Sequence, residues 1–307
     1  MVNMEMTRLH KVWQALGRTW IEGRRVERIA YAIGTALFAS GLVHVVVLLV
    51  TGASWSGPVS LRKAATFGLS FGLTLITVAW ATSFVRIRPR ARNILLGVFT
   101  TSCVVETAGV SLQAWRGVPS HFNFETPFDN VVAMTLAAGG GIIILTAIGF
   151  AASILIGTGE LSPSMRVAVR FGFLTLLVAL VTGAVMIARG VVEARGGNPQ
   201  LAYTTAGGLK PLHAVAMHGL LILPGLAWLL RFLDWTERQR TQLVLLASAA
   251  YGVLTVVVGI ESFAGVSPFA ASPVEMVVSA IALAVVAGSG AVALYGLVNG
   301  DRETVKS

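Results

Sequence analysis

The chain has 307 residues, 55% of them hydrophobic and only 12% charged, with a mean hydropathy of +0.78. Those values exclude a soluble domain of this length and point to a polytopic membrane protein. The formal net charge of +9 does not indicate nucleic acid, because most basic residues flank apolar runs, where they set orientation and meet anionic membrane lipid.

Residues 1–28 come first and carry six Lys or Arg. Leu9, Val12, Trp13, Leu16 and Trp20 recur at helical spacing among Arg8, Lys11 and Arg18, which predicts an amphipathic helix in the membrane interface. Apolar runs long enough to cross a hydrocarbon core of about 30 Å follow near 29–51, 64–85, 94–115, 130–157, 167–188, 211–232, 243–264 and 274–299. None alternates like a barrel strand, so the expected class is all-α, an eight-helix transmembrane bundle. The first run is too long for a secretory h-region and reads as a retained anchor.

Eight spans put both termini on one side. That side carries seventeen of the 23 Lys and Arg, so the positive-inside rule makes both termini cytoplasmic, with residues 300–307 a cytoplasmic tail. Cys103 is the single cysteine and sits mid-span, which excludes an intrachain disulfide or a thiolate metal cluster.

The pattern repeats within the chain. Glu106-Thr107-Ala108-Gly109-Val110-Ser111 resembles Glu261-Ser262-Phe263-Ala264-Gly265-Val266-Ser267 with one insertion, and Thr126-Pro127-Phe128-Asp129 aligns on Ser272-Pro273-Val274-Glu275. Leu61-Arg62 and Ala79-Trp80 align on Leu209-Lys210 and Ala227-Trp228. The expectation is two fused four-helix units in the same orientation, residues 29–157 and 158–299. In that register Glu106 and Glu261 are a shared pair, His44 falls opposite Met186, and His213 and His218 lack counterparts.

Ionisable residues inside spans cost about 2.5–3.5 kcal/mol each at helix centre, so their clustering marks a site. His44, Glu106, His213, His218 and Glu261 fall in the middle or outer part of their spans, and Arg62, Lys63, Arg116 and Lys210 lie near the outer ends. The outer loop Gln113-Ala114-Trp115-Arg116-Gly117-Val118-Pro119-Ser120-His121-Phe122-Asn123 is expected to fold back as a lid or collar. The alternative for the carboxylates is structural pairing, Glu106 with Lys63 or Arg116 and Glu261 with Lys210.

The Arg-Lys opening of the second span, the Gln-x-x-Arg-Gly-x-x-Ser-His-Phe-Asn loop and the His-x-x-x-x-His of the sixth resemble an uncharacterised family of bacterial multi-pass inner-membrane proteins. The resemblance implies an inner-membrane location and supplies no activity. In that family the second span opens with a Lys-Pro-like stretch, whereas Arg62-Lys63-Ala64 stands here.

Three functions suit this pattern. The leading one is a redox protein holding b-type haem or touching a quinone through His44, His213, His218 and the thioether of Met186. The second is an enzyme or carrier for an anionic lipid or lipid-linked substrate, with Glu106, Arg116 and His121 as catalytic groups and Arg62, Lys63, Gln113, Asn123, Lys210 and Glu261 binding substrate. The third is a proton-coupled transporter using Glu106 and Glu261. Partners on any of these readings are membrane lipids and a homo-oligomer or membrane complex, and no nucleic acid.

Overall fold

The computed structural model describes residues 7–304, apart from 56, 58, 158–159, 199–200, 203–206 and 268–269, and no side chain beyond 299. Of the predicted tail, the Arg302 side chain and Lys306 therefore lie outside the described residues. Among the described residues nine α-helices follow one another: α1 (Arg8–Ile21), α2 (Arg25–Thr51), α3 (Arg62–Ser83), α4 (Pro89–Trp115), α5 (Pro127–Gly157), α6 (Pro163–Arg195), α7 (Lys210–Leu230), α8 (Glu237–Phe263) and α9 (Pro273–Thr304). A short 3-10 turn, Gly207–Leu209, leads into α7. Eight of these helices are long and apolar enough to cross a membrane, and no strand occurs among the described residues. The molecule is a multi-pass membrane protein.

The helices outrun the apolar stretches that announce them. α4 begins at Pro89 and α6 continues to Arg195, each several residues past its hydrophobic run. Caps set the ends where hydropathy does not: Ser162 accepts from the Met165 N–H ahead of Pro163, and Thr236 and Gln239 form a capping box on α8.

Leu49, Leu145 and Ile156 stand exposed on the outside of the bundle, where a hydrocarbon surround matches them. Inside, Phe99, Phe150 and Phe173 form an aromatic chain joining α4, α5 and α6, with ring centroids 6.3 and 6.4 Å apart. α2 lies backbone to backbone on α3, since a Cβ at Gly68 would stand 2.6 Å from the Gly41 Cα.

Two groups of four helices pack in the same order. In the first, α2 meets α3 and α4, α3 meets α4, and α4 meets α5; in the second, α6, α7, α8 and α9 do the same. The groups join where α3 meets α7 and where α5 meets α6. At the α3–α7 contact Trp80 stands edge-on to Trp228 at 6.1 Å, each with a phenylalanine one turn on, Phe84 at 5.1 Å and Phe232 at 5.0 Å.

α1 crosses beneath this assembly. Arg8 donates to the Gly296 carbonyl of α9 at 2.8 Å and pairs with Asp234, while Trp20 reaches Tyr31 of α2 at 6.5 Å. Trp13, Leu16 and Trp20 remain exposed, so one face of α1 is apolar and uncovered by protein, as an interfacial helix requires. We call the side bearing α1 the terminal face and the opposite side the distal face.

Matching turns fix the register between the two groups. α4 and α8 both have 27 residues and end on the same motif: Gly117 and Gly265 take φ of 69° and 71°, and Val118 N–H and Val266 N–H donate back to the Gln113 and Glu261 carbonyls at 3.1 and 2.9 Å. Glu261 therefore occupies the place of Gln113, with Glu106 two turns deeper. This corrects the sequence alignment, which set Glu106 opposite Glu261. The α2 alignment shifts too: Gly34 abuts Gly72, and Gly172 abuts Leu220 at the matching place on α7. That puts Thr182, one turn before Met186, opposite His44.

Candidate functional site

Cationic side chains gather at the distal face where α3 and α7 begin. Arg62 is the first residue of α3 and Lys210 the first of α7, and the positive charges of Arg62 and Lys210 both bear on Lys63. Arg62 Nε donates to the Trp55 carbonyl at 2.9 Å with its guanidinium over the Trp55 ring, while the Ser60 hydroxyl donates to the Ser54 carbonyl at 2.7 Å. Ser54, Trp55 and Ser60 of the connection from α2 are thereby gathered at Arg62. Lys210 is exposed, and no ion pair among the described residues includes Arg62 or Lys210. Below them, Ser70 and Thr74 of α3 donate to the Met217 sulfur of α7 at 3.2 and 3.3 Å and hold the two helices together.

The loop from α4 to α5 covers this cluster. His121 stacks obliquely on Phe67 of α3 at 5.6 Å and on Phe122 at 6.0 Å, with its Nδ1 against the Ser120 hydroxyl at 3.1 Å. Enclosure by these rings, and then the charge of Lys63, pushes the His121 imidazole down to about 3, so it is neutral at physiological pH. Phe122 has φ of 62°, a left-handed conformation that costs an aromatic residue roughly 1 kcal/mol or more. Its ring compensates by filling the place where a side chain at Gly190 of α6 would stand, so a loop of the first helix group is seated on the second. Asn123 is buried, its Oδ1 accepting the Glu125 N–H at 3.2 Å and its Nδ2 without a partner among the described residues.

Gln113 and Arg116 work as a clasp for this loop. Gln113 is fully buried and donates to Asp129 Oδ1 at 2.8 Å; Arg116 donates to Gln113 Oε1 and to Asp129; and Thr126 donates to Asp129 Oδ2 at 2.7 Å. Both residues are expected from the sequence to face substrate; here Gln113 Nε2 and Arg116 Nη1 are engaged by Asp129, and Gln113 Oε1 by Arg116. The sequence showed Asp129 only as an acid in the first turn of a helix.

The histidines do not converge. The Nδ1 of His44 donates to the Ser40 carbonyl at 2.7 Å, which leaves Nε2 to accept the Trp115 indole N–H at 3.0 Å, so both nitrogens are engaged. His213 on α7 turns to α6, donating from Nδ1 to the Ala179 carbonyl at 2.7 Å. His218 donates from Nδ1 to the Ala214 carbonyl of its own helix at 2.6 Å and is exposed. α2 packs on α3 and α4, whereas α7 packs on α6, α8 and α3, so His44 does not face either α7 imidazole. The geometry does not fit a haem held between two facing imidazoles.

Glu106 is buried on α4, and its Oε1 has no hydrogen-bond partner among the described residues. α5 makes room for it: a Cβ on Gly139 would lie 2.7 Å from Oε1, whereas Gly141 of the same glycine run touches nothing. Glu261 is buried at the end of α8. Neither carboxylate forms an ion pair among the described residues, so the alternative of structural pairing with Lys63, Arg116 or Lys210 is not seen there. Cys103 is buried one turn before Glu106.

No family model, curated protein or solved structure matches this chain. The function is therefore argued from the site itself. The arrangement offers fixed positive charge at the distal face, a neutral imidazole within a seated aromatic lid, and, deeper in the bundle, the Glu106 carboxyl group in no ion pair among the described residues.

Proposed function

We propose that the protein is an enzyme or carrier for an anionic lipid or lipid-linked substrate, held at the distal face by Arg62, Lys63 and Lys210. The observation that carries this reading is the convergence of these three cations from two helix starts, with Arg62 and Lys210 in no ion pair among the described residues. Like charges gathered at a membrane surface repel unless an anion joins them, and a phosphate is the group that suits arginine and lysine together. His121 supplies a neutral donor or acceptor beside Lys63, and the lid seated by Phe122 on Gly190 shields the headgroup from water. Glu106 serves as a buried acid for proton exchange further down α4.

On this reading the terminal face is cytoplasmic, the distal face looks outward, and the membrane is the inner membrane of a bacterium, in keeping with the loop motif. The two helix groups are fused copies of one four-helix unit, related by an axis along the membrane normal through Trp80 and Trp228. Symmetry-related residues that touch must lie at such an axis.

The test is a titration of the detergent-purified protein with dihexanoyl phosphatidic acid, followed by native mass spectrometry. Arg62→Gln with Lys210→Gln should weaken binding at least tenfold while binding of dihexanoyl phosphatidylcholine stays as in the wild type. Equal binding of phosphatidic acid by wild type and variant would refute the proposal.

A further inference from the structure

A second cationic site lies at the opposite end of the first helix group. The turn from α3 to α4 borders an open cavity of about 430 Å³ on the terminal face, rimmed by Arg24, Arg86, Arg88 and Arg92 with Phe84 and Ile87 as its apolar wall. Arg92 is the fixed element: buried, it donates to Glu27 at 2.8 Å and to the Thr82 and Val85 carbonyls at 2.9 and 2.7 Å. Arg24 shares Glu27 with it at 2.8 Å and is half exposed. Arg86 and Arg88 are exposed, Arg86 pairing with Glu160 at 2.6 Å and Arg88 entering no ion pair among the described residues. Four guanidinium groups thus face two carboxylates, and the rim keeps an excess of positive charge.

The matching corner of the second group shows that the fold itself does not require this. There the Arg240 guanidinium donates to the Leu233 carbonyl at 2.8 Å, as Arg92 does to Val85. Asp234 and Thr236, however, stand where the first group has Arg86 and Arg88. Asp234 is taken by Arg8, and Thr236 caps α8 through its box with Gln239. By contrast α4 starts at Pro89 with no side-chain cap from Arg88, so its first N–H groups and helix dipole add to the same positive field. One corner is closed by its own chain, and the other is left cationic and hollow.

The geometry points to a binding site for a phosphate-bearing anion between Arg24, Arg86 and Arg88, with Arg92 as its buried support. Bidentate guanidinium–phosphate contacts supply the polar half, and Phe84 with Ile87 supplies an apolar wall for whatever carries the phosphate. The site is distinct from the distal cluster and does not depend on it.

The experiment uses the full-length protein in nanodiscs of phosphatidylcholine, titrated in separate arms with dihexanoyl phosphatidylglycerol and with inorganic phosphate. Saturable binding of the lipid alone, or of both ligands, supports the site and separates an amphiphile from a free phosphate. Arg86→Gln with Arg88→Gln should weaken it at least tenfold, Arg86→Lys with Arg88→Lys, which keeps the charge but not the bidentate fork, should weaken it by a smaller factor, and Arg238→Gln, a loss of charge at an exposed position on the first turn of α8, should change it less than twofold. Failure of both ligands to bind, or an equal loss in Arg238→Gln, would overturn the proposal. Elution of each variant as the wild-type species in size exclusion establishes that it is folded.

Discussion

Replacing Arg92 by Met should be among the most damaging single changes in the protein, and its size follows from what the guanidinium holds. It makes one bond to a buried carboxylate and two to carbonyls at the end of α3, at 2.7 to 2.9 Å. Hydrogen bonds to charged groups contribute about 1.5–3 kcal/mol each, and breaking a buried ion pair costs about 3–5 kcal/mol because the partner stays behind uncompensated. Glu27 keeps the Arg24 guanidinium and the Arg24 N–H at 2.8 and 2.9 Å, which holds the loss towards the lower end, about 3 kcal/mol. Arg240→Met provides the comparison within the same molecule. That residue donates to one carbonyl and lies 3.7 Å from Glu237, whose side chain is 33% exposed, a contact at the scale of a surface pair, so its loss should cost about 1 kcal/mol. Unfolding in mixed micelles titrated with SDS measures both. A difference of about 2 kcal/mol between the variants is expected; equal costs, or an Arg92→Met cost below about 1 kcal/mol, would refute the assignment of Arg92 as the buried support of this corner.

Other consequences are checked more simply. Gly190→Val should push Phe122 out of its seat and speed proteolysis within residues 117–126, with the helices left intact by circular dichroism. His121 is neutral in the fold down to about 3 but protonates near 6.5 when unfolded, so the unfolded state binds the extra proton between those values. Stability is then fully present above pH 6.5 and falls as the pH drops below it, by up to about 1.4 kcal/mol per pH unit; His121→Phe should remove that share of the slope. Trp115→Phe should free His44 Nε2 and make the imidazole reactive to diethyl pyrocarbonate, whereas in the wild type it should be protected. Cys103 should resist maleimide in the folded protein and label on unfolding in SDS.

The helices were legible because eight apolar runs of sufficient length leave a chain no other way to satisfy its backbone in lipid. α1 was legible for a related reason, its apolar residues recurring at helical spacing. Register was not. Moving an apolar helix by seven residues returns nearly the same face, and moving it by four changes the face little, so Glu106 aligned with Glu261 and His44 with Met186 on sequence alone. The left-handed glycines at Gly117 and Gly265 settle the first case, and Gly117-Val118-Pro119 beside Gly265-Val266-Ser267 was the signal that could have found it.

The site was half legible. Arg62, Lys63 and Lys210 were recognisable because cations are scarce at the distal ends of these spans. Gln113 and Arg116 looked available because nothing local to them shows that Asp129 will fold back and occupy both. The partners of His44 and of Arg92, Trp115 and Glu27, stand 71 and 65 residues away, and no periodicity predicts them. His218, counted with the site on depth alone, turns outward because its five-residue spacing from His213 places the two rings on different faces.

The most direct measurement of the central claim is photocrosslinking of native lipid from the distal site. Benzoylphenylalanine in place of Phe67, which lies against His121 and one turn below Lys63, is activated in intact membranes, and the adducts are identified by mass spectrometry. The account predicts adducts dominated by phosphate-bearing anionic lipids or lipid-linked phosphates, lost when Arg62 and Lys210 are both changed to Gln. Adducts that mirror the bulk membrane composition and persist in that variant would contradict it.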